Sequence, residues 1–244
     1  MSVTTGTLYL VGVGPGDPDL LTLKAVRLLG SVPVVAYTRS DRGGTMALDI
    51  ARQHVSPDAE LLPVDIPMIA DPGPAGVRQR HDAYQTGADA ITTHIVAGRD
   101  VAFLCEGDPL FYGTAIHIGT DLWDKYTIRV VPGITSVNAA AAAIPFPLVA
   151  RSDSLTILAG TSPDKVLLPR IDASGSVVIM KVGRHYDRLF ALLQQTGRAE
   201  WAWLVENVGH PNQRIIRVRD AEPGQKPYFS LILCFSGAEF WLDD

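Results

Sequence analysis

The stretch LYLVGVGPGDPDLLTLKAVRLLG, residues 8–30, decides the fold of this chain. Its first six residues are largely apolar and predict a buried strand. The apolar spacing of residues 17–30 predicts a helix that ends at the closing glycine, since glycine is common just after a helix. Between the strand and the helix lies a turn that contains Gly12, Gly14 and Gly16. A strand, a glycine-rich turn and a helix in this order predict the first half of a βαβ unit, and therefore an α/β fold.

The first half of the chain continues this alternation of strands and helices, which predicts a mainly parallel sheet covered by helices. Pro145, Phe146 and Pro147 then interrupt the pattern. We therefore predict two α/β domains, residues 1–144 with a mainly parallel sheet and residues 145–244 with a mixed sheet. The other predicted strands of the first half are residues 32–37, 61–66, 101–105 and 128–131, and its other predicted helices are residues 44–54, 77–97, 114–123 and 137–143.

The second half predicts a different sheet. Its last two predicted strands are residues 214–219 and 228–235, and the turn AEPGQKP lies between them. A short turn with proline and glycine predicts that these two strands form an antiparallel hairpin, which makes the second sheet mixed. The remaining predicted strands are residues 155–159, 177–180 and 201–205, and the predicted helices are residues 164–171 and 186–195.

The composition is that of an ordinary globular protein. The 244 residues are 47% hydrophobic and carry a net charge of −5, so the low hydrophobicity and high net charge of disordered chains are both missing. A net negative chain lacks the basic surface of a general nucleic-acid binder, so we expect no nucleic-acid partner. No apolar run approaches the ~18 residues of a membrane helix, and no signal peptide is visible, so we expect a cytoplasmic protein without membrane contact.

The cysteines and histidines give no sign of a metal site. Cys105 and Cys234 lie in apolar, strand-like runs, so we expect both thiols to be buried and reduced. The sequence has no CxxC pair, no HExxH motif and no histidine pair at i, i+4 spacing. We therefore expect no metal bound by the protein itself.

Three loops that combine glycine with proline, serine or threonine follow predicted strands of the first half. They are GVGPGDP at residues 12–18, CEGDPLFYG at residues 105–113 and PGITS at residues 132–136. Because open parallel sheets bind ligands at the carboxyl ends of their strands, these loops predict a shared small-molecule site. The first loop does not match the dinucleotide fingerprint G-x-G-x-x-G, and no acidic residue ends the second strand. A phosphate-binding P-loop is excluded because no GK[ST] follows.

Five motifs, in this order, make the chain similar to the tetrapyrrole (corrin/porphyrin) methyltransferases. They are VGVGPGDPDLLTLKA (residues 11–25), CEGDPLFYG (105–113), VVPGITSV (130–137), IMKVGR (179–184) and VENVGHPNQR (205–214). Within the family, EGDPLFYG, IMKVGRH and PYFSLIL most resemble the enzymes that methylate precorrin-2 at C-20 in cobalamin biosynthesis. The resemblance implies a homodimer of two α/β domains, with S-adenosyl-L-methionine in the cleft between the domains and a reduced tetrapyrrole as the methyl acceptor.

The resemblance also implies which residues bind the cofactor. Pro15 matches the methionine side of the site, and Met180 matches a position near the adenine. Val208 matches a position where the family has a small residue whose backbone contacts the adenosine. The remaining cofactor-binding residues that the resemblance implies are Glu106, Gly107, Asp108, Thr135 and Ser136.

Methyl transfer from a sulfonium needs orientation and desolvation rather than a nucleophilic side chain. A base is needed where the alkylated macrocycle loses a proton, and Tyr112 and Asp108 are the candidate catalytic residues by location. Asp108 precedes a proline and also fits a turn or helix-capping role. The acceptor that the resemblance implies is a polycarboxylate, so basic side chains near loop ends are candidates to bind it. These are Arg39, Arg42, Arg151, Lys181, Arg184 and His185.

Three alternatives stay open from the sequence. The first keeps the family and changes the substrate to cobalt-factor II, precorrin-4 or uroporphyrinogen III, because ring orientation in the site decides which carbon is methylated. The second is a nicotinamide oxidoreductase, which the missing ribose-binding acid disfavours. The third is a non-catalytic cofactor-binding sensor or scaffold, which the intact GDP and PGITS loops disfavour.

Overall fold

The computed structural model describes residues 5–40, 44–67, 73–120, 122–173 and 175–236. The chain divides into two compact units, Met1–Thr135 and Ser136–Asp244. Among the described residues, no helix is both long enough and apolar enough to cross a membrane.

The first unit is built on a five-stranded sheet in which every pairing is parallel, as the alternating pattern predicted. The strands are β1 (Leu8–Gly12), β2 (Val34–Ser40), β3 (Glu60–Ile66), β4 (Val101–Cys105) and β5 (Ile128–Val131). Their order is β3-β2-β4-β1-β5, so the first strand of the chain lies between β4 and β5. All five residues of β4 are buried.

Helices cover both faces of this sheet. Leu29 of one helix and Leu48 of the next pack with Val11 and Val35 on one face. Ile91 and the other buried residues of the long third helix pack on the opposite face. The helices are α1 (Leu23–Leu29), α2 (Met46–Ala51), α3 (Gly73–Val96) and α4 (Ala115–Gly119).

The predicted helix at residues 17–30 is divided in the structure. Asp17 accepts a hydrogen bond from the Asp19 backbone and begins a short 3₁₀ turn, Pro18–Leu20. Thr22 then begins α1 by accepting a hydrogen bond from Ala25 N across 3.2 Å. Because each capping side chain starts its own helical segment, the chain bends between them.

The second unit contains a mixed sheet, also as predicted. Its order is β6-β7-β10-β8-β9, with β6 parallel to β7 and the other three pairings antiparallel. Its strands are β6 (Leu155–Ala159), β7 (Ser176–Met180), β8 (Ala202–Glu206), β9 (Arg214–Arg217) and β10 (Ser230–Cys234), and its helices are α5 (Ser136–Ala143), α6 (Asp164–Ala173) and α7 (Tyr186–Gln195).

The predicted hairpin between the last two strands was wrong. β9 pairs with β8 at the edge of the sheet, whereas β10 lies between β7 and β8. Both β9 and β10 run antiparallel to β8, so they run parallel to each other and no tight turn can join them as neighbours. Burial agrees with this placement, because all five residues of β10 are buried and no residue of β9 is.

The two units meet in sequence at Thr135 and Ser136, earlier than the expected boundary after residue 144. The reason is α5, which contacts β10 and so belongs with the second unit. Pro145 and Pro147 follow this helix and lie in its connection to β6.

Candidate functional site

Three loops of the first unit meet backbone to backbone at the carboxyl ends of β1, β4 and β5. We call this contact the glycine junction and define it by Gly12, Gly14, Gly107 and Gly133. Gly107 N donates to the carbonyl of Gly14 across 2.7 Å, and Gly14 N donates back to the carbonyl of Gly107 across 3.3 Å. The parallel strands β1 and β4 are thus followed by an antiparallel bridge between their loops. These two backbone hydrogen bonds join the loops that follow β1 and β4.

The inner side of the glycine junction leaves no room for a side chain. A Cβ on Gly12 would lie 2.5 Å from Gly133 N and 2.7 Å from the carbonyl oxygen of Gly107. A Cβ on Gly133 would overlap that same oxygen. Glycine is therefore required at both positions for the backbones to approach.

The outer side of the glycine junction is different. Gly107 has φ +66°, and among the described residues a Cβ there would meet the carbonyl oxygen of Ile134, at 3.9 Å, and no other atom within 4 Å. Gly107 itself is partly exposed, so within the described part of the chain a side chain at this position has room. This open, side-chain-free surface is where a ligand can approach the main chain closely.

Asp108 ties two of the loops together. Its Oδ1 accepts from Leu110 N across 2.9 Å, and its Oδ2 accepts from Gly133 N across 3.1 Å. Both carboxylate oxygens are therefore engaged by backbone amides. This arrangement favours the turn interpretation of Asp108 over the interpretation as a catalytic base.

The two residues before Gly107 are the buried thiol of Cys105 and the partly buried carboxyl of Glu106. Burial raises the pKa of the Cys105 thiol well above its ordinary value, and the nearby Glu106 acts in the same direction. Burial also raises the pKa of Glu106, while hydrogen bonds from its own backbone and from that of Ala47 act against the rise. The Glu106 carboxyl thus has a backbone partner in α2.

The remaining implied cofactor residues of this edge lie in the same loops. Pro15 is buried directly after Gly14. Thr135 is the last residue of the first unit, and Ser136 is the first residue of α5. Tyr112 is exposed and has a left-handed backbone, with φ +56°.

In the second unit, the strands β6, β7 and β8 run in the same direction, so their carboxyl ends share one edge of the sheet. Met180 ends β7, and the left-handed Lys181, with φ +57°, follows it. Asn207, also left-handed with φ +50°, follows β8 and precedes the buried Val208. Val208 is 5% exposed.

The basic candidates differ in their surroundings. Arg39 makes a two-pronged ion pair with Asp65, with distances of 2.6 and 2.8 Å, so its charge already has a partner. Arg184 is exposed, and its Nε lies 3.5 Å from Nε2 of His185. Burial, and then the neighbouring Arg188 and Arg184, lower the pKa of His185. Arg42 lies outside the described residues.

The structure thus gathers Glu106, Gly107 and Asp108 at one edge of the first unit, and Met180, Lys181 and Val208 at one edge of the second. The sequence-based choice left out Gly12 and Gly133, although both lie in the quoted loop motifs. The sequence feature that could have identified them is a glycine at or just after the end of a predicted strand. Which loops would touch was not readable from local sequence.

The chain is similar to several known proteins. The sequence profile of the Tetrapyrrole (Corrin/Porphyrin) Methylases matches residues 7–223. The chain is 37% identical to a precorrin-2 C(20)-methyltransferase of Sinorhizobium sp., over 95% of this chain and 96% of that protein. It is also 39% identical to the cobalamin biosynthesis protein CobIJ of Mycobacterium tuberculosis, over 95% of this chain. The chain spans 46% of the length of CobIJ, about half.

A solved structure shows the same fold. It is a uroporphyrin-III C-methyltransferase from Thermus thermophilus complexed with S-adenyl homocysteine, and it aligns with a TM-score of 0.66 and 26% identity. The alignment covers 94% of this chain and 92% of that one.

Proposed function

The chain belongs to the tetrapyrrole (corrin/porphyrin) methylases, and on this premise we propose that it transfers a methyl group from S-adenosyl-L-methionine to a carbon of a reduced tetrapyrrole. The observation that carries the proposal is the glycine junction, with its packed inner side and its open outer side at Gly107. A ligand with polar groups at both ends and a cationic centre can be bound by such backbone, and no charged side chain needs to point at it.

The methyl acceptor that the relatives support best is precorrin-2, at C-20. The Sinorhizobium relative carries that name and aligns with nearly the whole of this chain. Cobalt-factor II, precorrin-4 and uroporphyrinogen III are the alternatives, since each presents the same kind of ring with peripheral carboxylates. The reaction would place this chain in cobalamin biosynthesis.

The transfer itself asks little covalent chemistry of the protein. The acceptor carbon attacks the methyl carbon in line with the sulfonium, the new carbon–carbon bond forms, and the sulfur keeps the electron pair of the broken bond. The products are the methylated macrocycle and S-adenosyl-L-homocysteine, and a proton leaves the macrocycle where conjugation is restored. The protein contributes orientation and exclusion of water. On effective-molarity grounds these two effects together lower the barrier by about 7 kcal/mol or more.

The proposed cofactor contacts follow the two strand edges. Gly107 and its neighbours, with Pro15 and Thr135, offer backbone from the first unit, and Met180 and Val208 offer contacts from the second. The proposed acceptor contacts are the basic side chains of Lys181, Arg184 and His185. Arg39 can bind the acceptor only if its ion pair with Asp65 opens. On the resemblance alone we propose that the protein is a homodimer, which sedimentation of the purified protein tests. On the same ground we propose a cytoplasmic location.

The deciding experiment is incubation of the purified chain with S-adenosyl-L-methionine and precorrin-2 under anaerobic conditions. Mass spectrometry is expected to show a gain of one methyl group, and NMR is expected to locate it at C-20. A methyl group at another carbon, or methylation of uroporphyrinogen III instead, would reassign the substrate within the family. Calorimetry provides the second measurement, with micromolar binding of S-adenosyl-L-homocysteine and no binding of NADH as the expected result. Binding of NADH alone would overturn the assignment.

A further inference from the structure

Tyr112 has a backbone conformation that an aromatic residue rarely adopts. Its φ is +56°, in the left-handed region, where β-branched and bulky residues are outliers. The non-glycine residues with positive φ in the described part of the chain are Tyr112, Pro145, Arg151, Lys181 and Asn207, and Tyr112 is the aromatic one among them. Glycine at this position would avoid the strain. Strained residues of this kind cluster at active sites and ligand-binding loops, so the conformation directs attention to the tyrosine side chain.

The turn around Tyr112 is held from both sides. Before it, the Asp108 side chain accepts from Leu110 N, and Phe111 N donates to the Asp108 carbonyl across 3.2 Å. After it, Gly113 fits only because it has no Cβ, which would lie 2.7 Å from the carbonyl oxygen of Pro109. These contacts determine the path of the backbone at Tyr112, so the strained conformation is a stable part of the loop.

The loops that leave the glycine junction carry large apolar side chains that are partly exposed to solvent. Leu110 is 51% exposed, Tyr112 is 42% exposed and Ile134 is 38% exposed. The first two follow Asp108 and the third follows Gly133, the two residues that the Asp108 hydrogen bond joins. The Tyr112 ring is also oriented by Phe111, with ring centroids 5.2 Å apart in an edge-to-face arrangement. The loop that contains Gly107 therefore carries an oriented, partly exposed aromatic ring, which offers a flat apolar surface.

We propose that Tyr112 is a positioning residue for the methyl acceptor, with its aromatic ring packed against the face of the tetrapyrrole macrocycle. This inference rests on the proposed function, because the acceptor there is a broad ring whose charges lie at its rim. Basic side chains can bind the rim carboxylates, but the ring face requires an apolar partner. The contact uses the ring of Tyr112 and not its hydroxyl.

The test compares Tyr112→Gly with Tyr112→Phe by titrating precorrin-2 into the protein in the presence of S-adenosyl-L-homocysteine, which prevents turnover. Tyr112→Gly is expected to weaken precorrin-2 binding about tenfold, which corresponds to about 1.4 kcal/mol, while Tyr112→Phe stays within about twofold. Because glycine relieves the left-handed strain, the melting temperature of Tyr112→Gly is expected to equal or exceed that of the wild type. Affinity for S-adenosyl-L-homocysteine should stay unchanged in both variants.

Trp123→Ala is the matched control, since it removes another exposed ring of the first unit that lies outside these loops. It should bind precorrin-2 as the wild type does. Equal binding of precorrin-2 by Tyr112→Gly and the wild type would overturn the inference, and so would an equal loss in Tyr112→Phe, which would assign the contact to the hydroxyl. A smaller sedimenting species for Tyr112→Gly would also overturn it, because the ring would then contact a second copy of the chain. A wild-type protein that does not bind precorrin-2 at all would instead refute the proposed function, and the role of Tyr112 with it.

Discussion

Gly133 donates its backbone N–H to the side chain of Asp108 across 3.1 Å, and this bond joins the loop after β5 to the loop after β4. The two residues are 25 positions apart in sequence. Since the other carboxylate oxygen of Asp108 accepts from Leu110 N, one side chain fixes both its own turn and the neighbouring loop. The glycine junction therefore depends on a carboxylate that is not part of its backbone contacts.

Replacing Asp108 should loosen the glycine junction. Asp108→Ala leaves two backbone amides without acceptors, at a cost of about 1–3 kcal/mol in the free energy of unfolding. Asp108→Asn should be nearly as harmful, because one side of the amide is an NH₂ group that faces an N–H donor. Urea unfolding and calorimetric titration with S-adenosyl-L-homocysteine measure both effects. If Asp108→Ala kept wild-type stability and lost only turnover, the side chain would be a base rather than a clamp.

Gly107 and Gly133 should respond to substitution in different ways. Gly107→Val adds a side chain on the open side, so we expect a folded protein, weakened by about 1–2 kcal/mol of left-handed strain, that no longer binds S-adenosyl-L-homocysteine. Gly133→Ala adds a Cβ on the packed side, so we expect a larger loss of stability, since backbone must shift. Thermal unfolding and ligand titration of the pair separate the two effects. Unchanged affinity in folded Gly107→Val would move the ligand away from the glycine junction.

Arg184 is one of the exposed basic side chains that we propose to bind a substrate carboxylate. Arg184→Ala should raise KM for the tetrapyrrole about tenfold to a hundredfold, equivalent to roughly 1.5–3 kcal/mol for one charge-assisted contact. The affinity for the methyl donor should not change, and the effect should shrink at high salt. Arg39→Ala is the comparison variant, because Asp65 already engages that guanidinium. A KM within about twofold of wild type for Arg184→Ala would show that Arg184 is a solvated surface charge and does not bind the substrate.

His185 should make the protein less stable in mild acid. Its pKa is lowered in the folded state, so the unfolded chain takes up the proton first as pH falls. The stabilising contribution is therefore complete above the ordinary value of 6.5 and is lost as pH falls through the lowered pKa. Glu60 and Asp65 have lowered pKa values as well, but their contributions are lost below 4.5 and 3.8, in more acidic solution. Urea midpoints between about pH 8 and pH 5.5 should fall more steeply for the wild type than for His185→Gln. Parallel curves would contradict this assignment.

The sequence was informative where structure is decided locally. The spacing of apolar residues, together with the turn residues, predicted the alternation of strands and helices that builds the parallel sheet. Glycine and proline identified the three loops that meet at the carboxyl ends of its strands. The division of the first predicted helix was harder to see, because the choice of Thr22 over Asp17 as the start of α1 depends on how the segment packs. The position of β10 was not readable at all, since its partners lie in β7 and β8 and a short connection favoured the wrong neighbour. At the site, Gly107 was identified by its motif, whereas the hydrogen bond from Gly133 to Asp108 joins residues that no local pattern connects.

The place of β10 in the middle of the second sheet has a consequence for the order of events during synthesis. β7 and β8 are made first, yet they do not pair with each other, because Ser230–Cys234 must lie between them. Until that strand leaves the ribosome, both earlier strands present open hydrogen-bonding edges, a state prone to wrong pairing and aggregation. The nascent second unit must wait for one of its last segments, whereas every strand of the first unit is already available.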